Sequence, residues 1–369
     1  MTTTGTDSRR LRLGTRGSRL ALTQSGQVAE ALMAAAAAGK ASEGSGGLGI
    51  DLVTVRTDGD GDRTPLRQLG GVGVFAARLR HALLDGEVDL VVHSFKDLPT
   101  QPVEGLEVIC VPAREDPRDA LCARDGLTLA DLPEGARVGT GSPRRAAQLL
   151  AARPDLEVVD LRGNVPTRLA RVRGLEAVGV GTDEPVAPSR ADAAGDLDAV
   201  VLALSGLRRL GLEHCASEVL DLETMLPAPA QGALAVEARA DEDSAELARA
   251  AAALDDEPTR LAVTAERALM TRLGAGCAAP VGAWAHLRGD SQEPRALVLR
   301  AVVTSLDGGQ EVGCELSTEL PETSGGPRTP RDTAAVRAAE ALGARAAEVL
   351  LEDGADQIVD LHANKPRRD

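Results

Sequence analysis

Aromatic side chains are almost missing from this chain: two Phe, one Trp and no Tyr stand among 369 residues. Its cores must therefore be built from Ala, Val and Leu, and it offers no platform of stacked rings for single-stranded nucleic acid. Lysine is nearly as scarce. Of 41 basic residues only Lys40, Lys96 and Lys365 are lysines, and the rest are arginines. Positive charge is outweighed overall. A net charge of -15 makes the chain a poor general binder of nucleic acid or of an anionic membrane. The five cysteines, Cys110, Cys122, Cys215, Cys277 and Cys314, are odd in number and form no CxxC pair. Neither a zinc site nor a disulfide framework is suggested, so no metal is expected. The alanine run at 34–38 is far too short to span a membrane. Met1 to Arg10 is polar and lacks the apolar core of a signal peptide. The expectation is a reducing cytoplasm, with no nucleic-acid and no membrane partner.

What is present is enough apolar residue for a sizeable interior. At 43% hydrophobic content, 369 residues predict two or three domains. The stretch from Asp89 to Pro99, DLVVHSFKDLP, organises the reading. Leu90 to Val92 suits a buried strand of an α/β sheet. His93, Ser94, Lys96 and Asp97 follow at once, and Pro99 stops the strand. Ligands of open α/β sheets bind at that strand edge. The competing reading of Lys96 and Asp97 is a solvated strand-end ion pair.

The same strand-then-turn pattern recurs along the chain. Leu11 to Gly14 predicts a strand, and Thr15-Arg16-Gly17-Ser18-Arg19 leads into a helix from Leu20 to about Ala38 with Ser18 as its cap. Arg137 to Gly139 predicts a strand end, followed by Thr140-Gly141-Ser142-Pro143-Arg144-Arg145 and a helix to about Ala152. Glu157 to Leu161 predicts a strand, then Arg162-Gly163-Asn164-Val165-Pro166-Thr167-Arg168 opens a third helix. Asp198 to Leu204 predicts a strand, then Ser205-Gly206-Leu207-Arg208-Arg209 follows. Any one such arginine is most simply solvated. Four strand ends with Arg beside Ser, Thr or Asn, in so acidic a chain, point to a cleft for several carboxylates or phosphates. Arg suits that task because its planar fork pairs bidentately. Asp58-Gly59-Asp60-Gly61-Asp62 lacks the twelve-residue calcium-loop pattern, and Leu69 to Val74 is not a P-loop because no Lys-Ser/Thr follows. Cys277, in a Gly-Ala-Gly-Cys loop after a helix, is the most exposed-looking thiol. The other four read as small buried hydrophobes, which is the usual fate of a lone cysteine and the competing reading of Cys277 too.

These motifs together resemble the porphobilinogen deaminase (hydroxymethylbilane synthase) family. The resemblance is carried by Thr15-Arg16-Gly17-Ser18, Thr57-Asp58-Gly59-Asp60, His93 to Pro99, Arg114 to Ala120, Gly139 to Arg145, Leu161-Arg162-Gly163-Asn164, Gln231-Gly232-Ala233, Thr264 to Ala268 and Gly276-Cys277, all in the family's order. It implies a transferase of tetrapyrrole and heme biosynthesis. Such an enzyme condenses four porphobilinogen molecules with loss of ammonia and releases hydroxymethylbilane by hydrolysis. It is primed on a dipyrromethane cofactor held by a thioether. By that resemblance Cys277 carries the cofactor and Asp97 is the catalytic carboxylate. Lys96, Ser94, Thr140, Ser142, Arg144, Arg145 and Gly163 contact the cofactor. Arg16, Ser18, Arg162, Arg168 and Arg209 bind substrate. The residue reading fits, since every pyrrole brings acetate and propionate groups. Loss of ammonia also creates positive charge that a fixed carboxylate such as Asp97 stabilises. Three positions depart from the family's habit: Gln68 and Val72, where lysines are common, with Arg67 nearby, and Ala230, where Gly is common.

The expected architecture is α/β. Two doubly wound, periplasmic-binding-protein-like α/β domains are joined by hinges at about 112–118 and 227–232, and a small C-terminal α+β domain follows. The first domain is expected over 8–112 and 233–250. The second spans 117–227 with an insertion at 174–195. The cofactor-attachment domain spans 254–361 and a tail covers 362–369. A monomer is expected. The alternatives are a hinged solute-binding module for a polycarboxylate, which has no use for Cys277, and a Schiff-base enzyme using Lys96 with pyridoxal phosphate.

Overall fold

Apolar runs of five or six residues separated by amphipathic helices make mixed sheets here, because strands buried on both faces read as near-continuous Leu, Val and Ala. The computed structural model describes residues 10–38, 48–55, 74–175, 195–276, 278–289, 295–321 and 333–361. Its chain divides into two compact units. One holds Met1–Asp62, Gly73–Ala113 and Ala233–Arg260, and the other holds the remainder. Among the described residues the chain therefore passes from one unit to the other beside Arg114, beside Gly232 and beside Arg260.

In the first unit the elements run β1 (Arg10–Thr15), α1 (Arg19–Ala38), β2 (Gly49–Thr54), α2 (Val74–Leu84), β3 (Leu90–Ser94) and β4 (Leu106–Cys110). The second unit contributes β5 (Asp119–Ala123), β6 (Arg137–Gly139), α3 (Pro143–Ala152), β7 (Glu157–Val159), α4 (Val165–Leu169), β8 (Ala199–Ala203), α5 (Leu204–Arg209) and β9 (Glu218–Val219). The chain returns to the first unit for β10 (Leu234–Arg239) and α6 (Ala245–Leu254). It closes with α7 (Glu257–Leu273), β11 (Val281–Arg288), β12 (Ala296–Thr304), β13 (Glu311–Glu319) and α8 (Ala334–Glu352).

The sheet of the first unit has the order β2-β1-β3-β10-β4. β1 runs parallel to β2 and β3, and β10 is inserted antiparallel between β3 and β4. The second unit repeats this plan as β7-β6-β8-β5-β9, with β6 parallel to its neighbours and β5 antiparallel. A three-stranded antiparallel sheet, β11-β12-β13, completes the chain. Fold class is thus as the sequence leads one to expect: two α/β sheets and a small α+β part. On one face of the first sheet, Leu13, Leu32, Leu90 and Val236 pack with α1 and α6. Leu79, Leu83 and Val91 pack with α2 on the other. The C-terminal core joins α7 and α8 to one face of the antiparallel sheet through Leu269, Leu299 and Leu350. Each fully buried Leu is worth about 1.5–3 kcal/mol, so aliphatic residues alone suffice to fix the scaffold.

Differences from the expected elements lie at boundaries. Glu115 to Asp119 reads as a crossing segment between domains, yet Asp119 opens β5, a fully buried strand between β8 and β9. The third and fourth arginine-bearing helices are only five and six residues long. They are too short to gather the dipole that α1 and α3 develop. The acidic glycine segment 58–62, Arg67, Gln68 and Val72, most of the 174–195 insertion, Cys277 and the 362–369 tail lie outside the described residues.

Candidate active site

The first unit places its polar groups at one sheet edge. Because β1 and β3 are parallel neighbours, with Leu13 opposite Leu90 and Gly14 opposite Val91, their ends emerge side by side. After β1 comes half-buried Arg16 and then Ser18, whose Oγ accepts from the Ala21 amide at 3.3 Å and caps α1. After β3 comes Ser94, whose Oγ donates to Gln24 Oε1 of α1 at 3.2 Å. The chain then turns through a short 3-10 helix, Phe95–Asp97. Phe95 is buried and anchors that turn, Lys96 is half-buried, and Asp97 is exposed. The Phe95 amide donates to Ala233 O at 3.0 Å, tying the turn to the start of β10.

His93 does not join that edge. It is only 6% exposed, and its Nε2 lies 3.1 Å from Glu237 Oε2 of β10. Arg80 of α2 clasps the same carboxylate through Nε and Nη2. Burial works against ionisation of Glu237, but hydrogen bonds from His93 and Arg80 outweigh it and hold the carboxyl below its usual range. Of the four polar residues that end the DLVVHSFKDLP strand, one thus ties the sheet to its helix, while Ser94, Lys96 and Asp97 form the edge.

The second unit gathers Thr140, Ser142, Arg144, Arg145, Arg162, Gly163, Arg168 and Arg209 at the ends of its parallel strands. Ser142 caps α3 by accepting from the Arg145 amide, Pro143 sits in the first turn, and the Ser142 amide donates to Thr140 Oγ1 at 3.2 Å. The turns after β6 and β7 touch: a Cβ on Gly141 would lie 2.4 Å from Leu161 O, so no larger residue fits. Asn164 caps α4 by accepting from the Thr167 amide at 2.9 Å, and Arg168 Nε donates to Gly163 O at 2.7 Å. Arg209 Nη2 donates to Gly232 O at 2.6 Å. Arg162 is half-buried, and its Nε is shielded from solvent with no hydrogen-bond partner.

Arg144 and Arg145 are buried, at 3% and 6% exposure. Both close on Asp119, a residue that sequence reading passed over. Asp119 Oδ2 accepts from Arg144 Nη2 at 2.7 Å, and Oδ1 accepts from Arg145 Nη2 at 2.8 Å and Gln231 Nε2 at 2.7 Å. Burial alone would neutralise this carboxyl, but the two guanidiniums outweigh it and keep its pKa far below the usual range. The available signal was an aspartate at the head of an otherwise apolar run, Ala120 to Ala123. A charge entering a buried strand needs a partner.

Of the four described cysteines, Cys110, Cys122 and Cys215 are buried and Cys314 is half-buried. Burial pushes the Cys110 and Cys122 thiols up to about 12 and Cys314 to about 11, and it also raises Cys215. Such thiols are poor nucleophiles at neutral pH. Among the described residues no group of His, Cys, Asp and Glu is arranged to hold a metal ion.

Two family models cover the chain. "Porphobilinogen deaminase, dipyromethane cofactor binding domain" matches residues 11–247, and "Porphobilinogen deaminase, C-terminal domain" matches 260–352. The chain belongs to the porphobilinogen deaminase family. Porphobilinogen deaminase of Cutibacterium acnes is 52% identical over 97% of this chain and 99% of its own length. The enzymes so named from Micrococcus luteus and Thermobifida fusca are 51% and 48% identical, over 97% and 94% of this chain and 98% and 95% of theirs. A TRAP periplasmic solute binding protein of Roseobacter denitrificans aligns over 67% of this chain and 78% of its own, at 10% identity and a TM-score of 0.33, too low to bear on ligand or function.

The family's cofactor is dipyrromethane, and the residues of the 11–247 region suit it. A pyrrole carries acetate and propionate. The second unit offers guanidiniums, two hydroxyls and a capped helix start, and it leaves the shielded Nε atoms of Arg144 and Arg162 without a hydrogen-bond partner. Unpaired buried donors of positive charge call for anionic acceptors.

Proposed function

We propose that Asp97 is the carboxylate that serves the chemistry of this family in this chain, and that the two strand-edge clusters hold its cofactor and substrate. The enzyme is a transferase, the hydroxymethylbilane synthase of porphyrin and heme biosynthesis. Its reaction joins four porphobilinogen molecules with loss of ammonia into the linear hydroxymethylbilane. The alternative of a solute-binding module is not favoured by matches that span both regions of the chain.

The observation that carries the assignment is Asp97 itself. It is exposed at the end of a buried strand, on a turn pinned by Phe95 and by the hydrogen bond to Ala233 O. A carboxylate fixed there can stabilise the cationic carbon left when porphobilinogen loses ammonia, and can hold a pyrrole N–H proton. Dipyrromethane, when bound, supplies the pyrrole carbon from which the chain grows. Lys96, Ser94, Thr140, Ser142, Arg144, Arg145 and Gly163 are assigned to that cofactor, and Arg16, Ser18, Arg162, Arg168 and Arg209 to the carboxylates of the substrate. Cys277 is assigned the thioether. The raised pKa values of the four described thiols support this, because they leave those sulfurs poorly suited to attack. The three-domain division, with boundaries as expected from the sequence, belongs to the same proposal. So do a monomeric state, a cytoplasmic location and the absence of nucleic-acid or membrane partners. No helix among the described residues is long and apolar enough to cross a membrane.

Intact-protein mass spectrometry tests the reading. The wild-type chain should carry the added mass of two deaminated porphobilinogen units, and Cys277→Ser should not. A wild-type protein that lacks this mass and fails to acquire it from porphobilinogen would remove the covalent cofactor and with it the assignment.

A further inference from the structure

Asp119 stands where the described mechanism has no use for it. It contacts no exposed surface and it is 0% exposed. Yet it is the point at which both arginines of the α3 start converge. Oδ2 accepts from Arg144 Nη2 at 2.7 Å, and Oδ1 accepts from Arg145 Nε at 3.1 Å and Nη2 at 2.8 Å. Gln231 Nε2 adds a third donor to Oδ1 at 2.7 Å and braces itself on Pro117 O, also at 2.7 Å. The remaining arms are fixed by backbone: Arg144 Nη1 donates to Leu226 O at 2.6 Å and Arg145 Nη1 to Val201 O at 3.1 Å. Two guanidiniums against one carboxylate leave a single net positive charge. That charge is held rigidly beside the N-terminus of α3, and the buried Nε of Arg144 has no hydrogen-bond partner. A cluster built only for stability would end neutral and with its donors satisfied, because an unpaired buried donor costs free energy. This one keeps an uncompensated charge and an open donor.

We propose that Asp119 is a positioning residue for cofactor capture. It sets the orientation of Arg144 and Arg145 and trims their combined charge to a single positive one, the counterpart of one pyrrole carboxylate. This rests on the reading above that these arginines hold the cofactor. Without the carboxylate, the two guanidiniums repel each other across a buried site and lose the geometry that meets the ligand.

The test is the fraction of purified protein that carries the added mass of the cofactor, before and after incubation with porphobilinogen, read beside the melting temperature. Asp119→Asn keeps the shape and removes the charge. Its loaded fraction should fall at least fivefold and not recover on incubation. Asp119→Glu keeps the charge but forces an extra methylene into a packed site. It should melt lower than wild type yet load at least three times better than Asp119→Asn. Arg153→Met is the control. Arg153 caps the C-terminal end of the same helix and donates to the carbonyls of Leu129 at 2.7 Å and Leu132 at 3.0 Å without touching Asp119 or its partners. It should lose stability and load normally. Normal loading of Asp119→Asn would overturn the proposal. So would a loss shared by Arg153→Met in step with melting temperature, or an Asp119→Glu that loads no better than Asp119→Asn. If Asp119→Asn does not fold, Asp119→Glu decides alone by loading within threefold of wild type or failing to. A wild-type protein that never gains the mass would instead sink the functional reading on which all of this stands.

Discussion

Arg114 and Glu266 lie 152 positions apart in sequence and form a two-pronged ion pair, Nη1 to Oε1 at 2.7 Å and Nη2 to Oε2 at 3.1 Å. The Glu266 side chain is 0% exposed and that of Arg114 is 9%. The same carboxylate accepts from the amides of Ala230 at 2.5 Å and Ala285 at 2.8 Å. One side chain of α7 thereby fastens the segment that begins at Arg114, the turn before Gly232 and strand β11. Removing it takes the carboxylate from a buried guanidinium and the acceptor from two amides. Glu266→Ala should cost about 3–5 kcal/mol, as breaking one side of a buried pair does. Urea unfolding of the two proteins checks this, and a loss under about 1 kcal/mol would show that the pair carries little.

Ala230 holds φ at +63°, a left-handed conformation that costs an L-residue about 1–2 kcal/mol. This gives a physical reason why glycine suits the position. Ala230→Gly should raise stability by about 1 kcal/mol, less the small loss of a buried methyl. A lower urea midpoint for the variant would contradict the strain argument.

Gly232 sits at φ +88°, and a Cβ there would lie 2.4 Å from Glu115 O. The segments at Glu115 and Gly232, both in the second unit, lie in contact through the Glu115 amide and Gly232 O at 3.3 Å. Gly232→Ala must either shift this backbone or break the contact, at about 1–3 kcal/mol. Amide exchange at Glu115 should quicken in the variant, whereas unchanged exchange would refute the close approach.

Asp97 and Lys96 are neighbours on one turn with different predicted weight. Asp97→Ala should lower turnover of porphobilinogen by about 10²–10³-fold, the range for losing a fixed group that stabilises developing charge. Lys96→Ala should do less damage. If Lys96→Ala abolished turnover while Asp97→Ala spared most of it, a lysine-based mechanism would be the better account.

Trp284, the single tryptophan, stacks on His286 with ring centroids 4.1 Å apart and planes inclined by 14°. Burial lowers the pKa of His286, and Arg288 lowers it further against an opposing pull from Glu315. Indole fluorescence should therefore change on acidification with a midpoint below the usual value of about 6.5 for histidine. The sign for stability follows. The unfolded chain binds this proton more readily than the folded one, so the contribution of His286 is present above the unfolded value and is lost as pH falls through the folded one. His286→Asn should flatten the fluorescence titration. A midpoint above 6.5 would show that burial does not dominate.

Much of the scaffold was legible in the residues themselves. Short apolar runs marked β1, β3, β6 and β8, and Ser18 and Ser142 each cap the helix that follows them. These are local effects, set by side-chain period and by the hydrogen-bond needs of a helix start, so a single segment carries them. The polar edge of Ser94, Lys96 and Asp97 was legible for the same reason. What local sequence could not carry was partnership. Nothing within ten residues of His93 shows that it turns inward to Glu237, 144 positions away. Nothing near Asp119 shows that both arginines of α3 close on it. Ala230 reads from the sequence only as a departure from the family's Gly, and its left-handed backbone comes from the tertiary structure. Each of these depends on which charges the tertiary fold buries together, and a buried charge is decided by partners brought from elsewhere in the chain rather than by its neighbours along it.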